Sequence, residues 1–265
     1  MVINSILADI DGTLIEGGDL SKVNPALKQA IKEVRAAGVL FSLASARPWF
    51  EQEPFHASLL SPDSYKVGEG ISYEASCVRL LGSADSYRLG GLSSEQIKEV
   101  ERFIAEQGLF TGMVHQANNE RYETTTGYVT PTFRSEGKTD IELLERTYAL
   151  VKPLLEGRFP FLEAVMSADA VDINAKGVTK AKPAQKYAEL AGISLADIAA
   201  IGDSGNDMPM LDLIGKAGGL AVYVGKKAEQ EAIVRKYAHH FIPERKNVLG
   251  TVEALQYILR FNGGM

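Results

Sequence analysis

Val2-Ile3-Asn4-Ser5-Ile6-Leu7-Ala8-Asp9-Ile10-Asp11-Gly12-Thr13 is the stretch that decides the fold. Residues 2–8 are short, mostly apolar and partly β-branched, which predicts a buried strand. The two acids and Gly12 break regular structure and predict a loop. A helix comes next. Asn24 can cap it, Pro25 suits its first position, and Leu27, Ile31 and Val34 fall on one face. Gly38 ends it, and Val39-Leu40-Phe41-Ser42-Leu43-Ala44 predicts a second buried strand. Strand, helix, strand in this order is the pattern of a parallel βαβ unit.

The same grammar returns late in the chain. Residues 183–191 predict a helix, with Pro183 near its start delaying it and Gly192 just past its end. Ile198-Ala199-Ala200-Ile201 predicts a strand that runs into Gly202-Asp203-Ser204-Gly205-Asn206-Asp207. Alternating helices and one more strand complete the set to residue 260. Both ends of the chain therefore belong to one α/β sheet domain, over residues 1–83 and 168–265. The middle differs. Ser94 to Gln107 and Thr139 to Leu155 predict amphipathic helices. Between them Phe110 to Gln116, Glu120 to Thr126 and Tyr128 to Arg134 predict an antiparallel meander, with turns at Asn118, Asn119 and Gly127. Phe161 to Met166 and Ala170 to Ile173 could add strands. An inserted α+β domain is expected at roughly 84–167.

Bulk properties exclude several classes. The formal net charge is -6, with one cysteine, Cys77. This balance gives no electrostatic reason for nucleic-acid or anionic-membrane binding. A single cysteine rules out an intrachain disulfide and a four-cysteine zinc site. No apolar run approaches the ~20 residues of a membrane helix. The first residues pass straight into a strand with no targeting segment, so a cytoplasmic protein is expected.

Asp9 and Asp11, two residues apart at a strand end, would point to the same side if the strand continued. Taken alone, such a pair reads first as a solvated strand end or a helix cap. Gly12, permitting a tight turn, and the hydroxyl of Thr13 shift that reading. Asp203 and Asp207 follow another apolar strand, and in open α/β sheets ligands sit beyond the carboxyl ends of the strands. Acids gathered there make a hard-oxygen site suited to magnesium, although Asn206 or Asp207 could equally cap the next helix. Ser45 offers a hydroxyl and an amide where a helix begins, a plausible phosphate cradle. Lys180 can supply positive charge, with Lys176 as a rival.

Together these stretches resemble the haloacid dehalogenase superfamily of phosphotransferases. Asp9 to Thr13 is similar to its first motif. Ser45 stands in Ala44-Ser45-Ala46-Arg47-Pro48, a run similar to the family's Ala-Thr-Gly-Arg-Pro. Lys180 looks like its third-motif lysine, and Gly202 to Asp207 looks like its fourth motif, Gly-Asp-x-x-Asn-Asp. The insert lies between the second and third motifs, as in the Cof-like and sucrose-phosphatase-like group with a C2-type cap. The resemblance implies a Rossmann-like three-layer parallel-sheet core with an α+β cap. It implies an Mg²⁺-dependent phosphatase of a small phosphorylated metabolite, of sugar phosphate or phosphoglycolate type, acting as a monomer or homodimer.

In that scheme Asp9 is the nucleophile and Asp11 the acid and base. Ser45 and Lys180 hold the non-bridging oxygens. Gly12, Thr13, Ala46, Arg47 and Asn206 serve the phosphate side. Magnesium falls to Asp9, the Asp11 carbonyl, Asp203 and Asp207. Two departures stand out: Ala46 replaces the usual glycine, and Gly68-Glu69-Gly70-Ile71 stands where the group often has Asn-Gly. His115, Arg121, Tyr122, Glu123, Tyr128 and Arg134 are cap candidates for substrate choice. A phosphomutase, a silent phosphometabolite-binding protein and a receiver-type signalling domain are the rivals.

Overall fold

The computed structural model describes residues 2–47, 49–60, 66–73, 77–81, 86–116, 126–129, 140–166 and 170–263. It divides into two compact units, residues 1–89 with 179–265, and residues 90–178. The first unit begins with β1 (Ser5–Ala8), α1 (Pro25–Ala36), β2 (Leu40–Ser45), α2 (Trp49–Leu59), β3 (Gly70–Tyr73), β4 (Cys77–Leu80) and β5 (Ser86–Arg88). The second holds α3 (Ser94–Glu106), β6 (Val114–Gln116), β7 (Thr126–Val129), α4 (Ile141–Arg158), β8 (Leu162–Met166) and β9 (Ala170–Ala175). The chain returns to the first with α5 (Ala181–Ala191), β10 (Ile198–Gly202), α6 (Met208–Lys216), β11 (Leu220–Tyr223), α7 (Ala228–Val234), β12 (His240–Phe241) and α8 (Asn247–Gly263).

In the first unit the described strands form one sheet in the order β12-β11-β10-β1-β2-β3-β4-β5. The pairings from β12 to β3 are parallel, and β4 and β5 are added antiparallel. Alternate strand residues supply two cores. Ile6, Ala8, Phe41, Leu43, Ile201 and Val222 pack with Leu27, Ile31 and Val34 of α1 and with Val252, Leu255 and Ile258 of α8. Leu7, Ala44, Ala200, Ala221 and Tyr223 pack with Tyr187 of α5 and with Met210, Leu211 and Ile214 of α6. A sheet covered on both faces requires strands that are largely apolar on both sides, and the buried Ser5 and Ser42 are satisfied by the Tyr187 hydroxyl. The three-layer α/β architecture expected from sequence is present. Local signals match as well: Asn24 Oδ1 accepts the Ala26 N–H at 2.9 Å, and Pro25 opens α1.

The second unit is an antiparallel sheet, ordered β6-β7-β9-β8. Its apolar face carries Tyr128, Leu162, Ala164, Val171 and Ile173 against Ile97, Val100 and Ile104 of α3 and Leu144, Val151 and Leu155 of α4. Ser93 and Gln96 form a capping box at the start of α3.

Three details differ from the sequence reading. First, β9 pairs with β7 on one side and β8 on the other, so it belongs with the insert, and the core resumes at 179 instead of 168. At the other junction β5 pairs with β4, which carries the core to residue 89 instead of 83. Second, Gly127 lies inside β7, opposite Gln116 and Asp172, not in a turn; the ladder on both sides overrides its local preference. Third, α5 starts at Ala181, before Pro183. The first N–H groups of a helix have no intrahelical partner, so a proline in the first turn removes nothing. Residues 117–125 and 130–139 lie outside the described residues, and with them Asn118, Asn119, Arg121, Tyr122, Glu123 and Arg134. No helix among the described residues is long and apolar enough to cross a membrane.

Candidate active site

β1 lies between β2 and β10, in register from Ser5 to Ala8 with both neighbours. All three strands run parallel, so the loops leaving their carboxyl ends meet at one edge of the sheet. The Asp9 N–H extends the ladder to the Ile201 carbonyl at 3.0 Å. Beyond β1 stand Asp9, Asp11 and Thr13; beyond β10 stand Asp203 and Asp207; β2 ends in Ser45. Lys180 comes to the same edge from the residue just before α5.

Lys180 is the centre of the arrangement. Its buried ammonium donates to Asp9 Oδ1 at 2.7 Å and to Asp207 Oδ1 at 2.6 Å. Burial works to lower its pKa, but the two carboxylates outweigh burial and raise it. Lys180 is a fixed cation. Lys176 sits in the second unit, where its N–H bonds the Phe161 carbonyl.

Asp207 is fully engaged. While Oδ1 takes Lys180, Oδ2 accepts the N–H groups of Asp203 at 3.0 Å and Ser204 at 3.1 Å. It occupies the N-cap position of α6 yet makes no side-chain capping bond there. Its carboxylate points back into the loop instead and sets the path of residues 202–204. Asn206 is exposed, and its Oδ1 accepts from Ser204 Oγ at 2.6 Å. Thr13 is buried and donates to Asp203 Oδ1 at 3.2 Å, while its own carbonyl accepts from Thr251 Oγ1.

Two glycines permit this crowding. Gly12 has φ +79, and a Cβ there would lie 2.3 Å from Asp203 Oδ2. A Cβ on Gly202 would lie 2.4 Å from the Asp207 Cβ. Neither position accepts a side chain without displacing an acid of the site.

Asp9, Asp203 and Asp207 each place a carboxylate oxygen within 4.8 Å of the others. Burial, then the Asp207 charge, push Asp9 well above the usual carboxylate range; Lys180 opposes them. Burial and Asp207 likewise push Asp203 up to about 7. Carboxylates held up in this way are those a divalent cation would relieve. An all-oxygen, acid-rich donor set suits a hard ion such as Mg²⁺. Asp9, Asp203 and Asp207 are the side chains that could hold it, and Asp207 also keeps the other two in position through Lys180 and the Asp203 N–H.

Arg47 is placed differently from a simple phosphate ligand. Its guanidinium forms a fork on Asp11, Nε to Oδ2 at 2.7 Å and Nη2 to Oδ1 at 2.9 Å. It also donates to Glu51 Oε2 at 2.8 Å and to the Gly18 carbonyl at 2.7 Å. Asp11 itself is about half exposed, with 46% of its side chain accessible. The Arg47 N–H bonds the buried Ser45 Oγ at 3.2 Å, and Ala46 is exposed at the tip of this turn. Sequence reasoning missed the Arg47–Asp11 pair because 36 residues separate its members. Glu69 is not at this edge: it is buried against Arg35, beneath β2.

Comparison with known proteins agrees with this geometry. A family model described as haloacid dehalogenase-like hydrolase matches residues 6–68 and 94–255. A phosphoglycolate phosphatase from Methanosarcina acetivorans is 35% identical over 124 residues, covering 46% of this chain and 50% of that protein. The chain thus spans about half the length of that curated relative. Among solved structures, a haloacid dehalogenase-like hydrolase from Bacteroides thetaiotaomicron superposes with a TM-score of 0.69 at 19% identity, covering 97% of this chain and 99% of that one. The sucrose-phosphatase of Synechocystis sp. PCC6803 superposes with a TM-score of 0.58 at 16% identity, covering 97% of this chain and 98% of that one. At such identities the superpositions establish the fold. The family model, which spans most of the chain and contains every acid at the β1 and β10 edge, establishes membership: this protein belongs to the haloacid dehalogenase-like hydrolases.

Proposed function

We propose that the protein is a metal-dependent phosphatase of a small phosphorylated metabolite, with Asp9 as its covalent nucleophile. The observation that carries this reading is the Lys180 ammonium between Asp9 and Asp207, with Asp203 alongside. A nucleophile for phosphate must be anionic yet kept from repelling the substrate. Here Lys180 engages one oxygen of Asp9, which orients the carboxylate and leaves Oδ2 for attack.

Mg²⁺ bound among Asp9, Asp203 and Asp207 would supply charge neutralisation to the phosphoryl oxygens. The chain's own groups do the rest. Asp9 Oδ2 attacks phosphorus and forms an acyl phosphate as the bond to the leaving oxygen breaks. Asp11 gives that oxygen a proton. Asp11 then takes a proton from the water that attacks phosphorus, and orthophosphate leaves with Asp9 regenerated. Arg47 bonds both Asp11 oxygens. Donation to the leaving oxygen needs one Asp11 oxygen released from the guanidinium. Ser45 and the Lys180 ammonium would face the non-bridging oxygens and stabilise the developing charge.

The substrate class rests on the names of relatives: one is a phosphoglycolate phosphatase, another a sucrose-phosphatase. We infer a sugar phosphate or phosphoglycolate type of substrate, with the second unit, residues 90–178, setting the choice. The test is phosphate release from an aryl phosphate. It is expected with Mg²⁺, should be lost on exhaustive chelation, and should return when Mg²⁺ is restored. Activity undiminished by chelation would remove the metal from the account. A panel of phosphorylated metabolites then ranks the substrates.

A further inference from the structure

Resting on the phosphatase reading above, we infer that Gln52 is a positioning residue that aims the Ser45–Ala46 peptide N–H at the substrate phosphoryl group. Gln52 lies in the first turn of α2 and is fully buried. Its Nε2 faces three carbonyl oxygens: Arg47 at 2.5 Å, Ser72 of β3 at 3.0 Å, and Ser45 at 3.3 Å. Three acceptors at one end of the side chain fix the orientation of the amide, since the opposite flip would set oxygen against three oxygens.

The other end is anomalous. Gln52 Oε1 is buried with no hydrogen-bond partner. An orphaned buried acceptor costs about 1–3 kcal/mol, so an amide at this position is justified only by what its nitrogen does. The nitrogen holds the turn after β2. In a trans peptide the C=O and the following N–H point in opposite directions. Drawing the Ser45 carbonyl inward to Gln52 therefore aims the Ala46 N–H outward. Ala46 is exposed, at the strand edge shared by Asp9 and Lys180. Holding the Arg47 carbonyl as well fixes the base of the side chain that grips Asp11. The preceding residue of the same helix, Glu51, fixes its tip. A backbone N–H aimed in advance at a phosphoryl oxygen needs no reorganisation on binding.

Two measurements test this. In the first, Gln52→Met is compared with the wild type for inhibition by inorganic phosphate and for KM and kcat on an aryl phosphate, with the folded fraction measured by circular dichroism. The variant is expected to weaken phosphate inhibition and raise KM about tenfold, the loss of roughly one charge-assisted hydrogen bond. A folded variant with an unchanged inhibition constant and KM overturns the inference, whatever its melting temperature. The second measurement covers a variant that fails to fold. Wild-type protein carrying ¹⁵N-alanine is titrated with inorganic phosphate in the presence of Mg²⁺, with the Ala46 resonance identified by its loss in Ala46→Gly. The Ala46 amide proton is expected to move downfield more than those of the other alanines. A stationary Ala46 resonance while phosphate inhibits the enzyme overturns the inference and leaves the phosphatase reading standing. Phosphate that neither inhibits nor shifts any amide overturns both.

Discussion

Asp9→Asn is expected to abolish turnover, by about 10⁴-fold or more in kcat, the scale set by loss of a nucleophile in other covalent enzymes. The reason is chemical. An amide oxygen cannot form the acyl phosphate, and of the two carboxylates that Lys180 engages only Asp9 has an oxygen left for attack. Asp207 is engaged at both oxygens by Lys180 and by the N–H groups of Asp203 and Ser204. Asp11 is engaged at both oxygens by Arg47. The amide also keeps the shape of the site while losing half of the charge around Lys180. The protein should therefore fold, and its secondary structure should be checked beside the rate on an aryl phosphate. Wild-type turnover in the folded variant would move the nucleophile elsewhere.

The second large effect is on stability and lies away from the chemistry. Arg35 and Glu69 form a buried fork, Nε to Oε1 at 2.6 Å and Nη2 to Oε2 at 2.8 Å. Glu69 also accepts the N–H groups of Phe41 at 3.2 Å and Lys66 at 2.9 Å. Burial works to raise the Glu69 pKa, but Arg35 and these amides outweigh it and hold the carboxyl below its usual range. Arg35→Met leaves that carboxylate buried and uncompensated, at an expected cost of about 3–5 kcal/mol. The effect depends on pH. In the wild type the depressed pKa gives stability that is present above the ordinary glutamate value and lost as pH falls through the depressed one. In the variant, burial is no longer opposed by the guanidinium, and the penalty shrinks as Glu69 takes up a proton. Urea unfolding should thus show a gap between the two proteins that narrows from neutral to mildly acidic pH, as the variant's Glu69 takes up a proton. A gap of the same size at both pH values would contradict the assignment. The double variant Arg35→Met/Glu69→Leu should recover much of the loss, because an apolar pair avoids the buried charge altogether.

These two cases show what the sequence carries and what it hides. The parallel core was legible because its central strands are covered on both faces. Ile6-Leu7-Ala8 and Ile198 to Ile201 are apolar without interruption and run into acid-bearing loops, and Phe41 to Ala44 is broken only by the buried Ser42. The acids of the site were legible for a related reason: Asp9, Asp11, Asp203 and Asp207 stand where apolar strands stop. The antiparallel strands β4 and β5 were not legible. Cys77–Leu80 and Ser86–Arg88 are short and half polar, and only their pairing defines them. The pairs that hold the site in place were hidden too. Arg47 finds Asp11 across 36 residues, Arg35 finds Glu69 across 34, and Gln52 reaches the carbonyls of two strands. No periodicity or capping rule connects such partners. Glu69 shows the trap most clearly. It stands in the run where the resembled group often has Asn-Gly, and its carboxylate is the buried counter-ion of Arg35.

The central claim is that phosphate passes through Asp9. Asp11→Asn keeps the nucleophile and removes the base, so an aryl phosphate, whose leaving group needs little protonation, should load the enzyme faster than water unloads it. The direct measurement is acid quench of this variant during turnover with Mg²⁺, then digestion and mass spectrometry. The account predicts one phosphoryl group on the peptide containing Asp9, labile to hydroxylamine as an acyl phosphate is. A burst of phenol release with no covalent phosphate, or the label on any other residue, would contradict it.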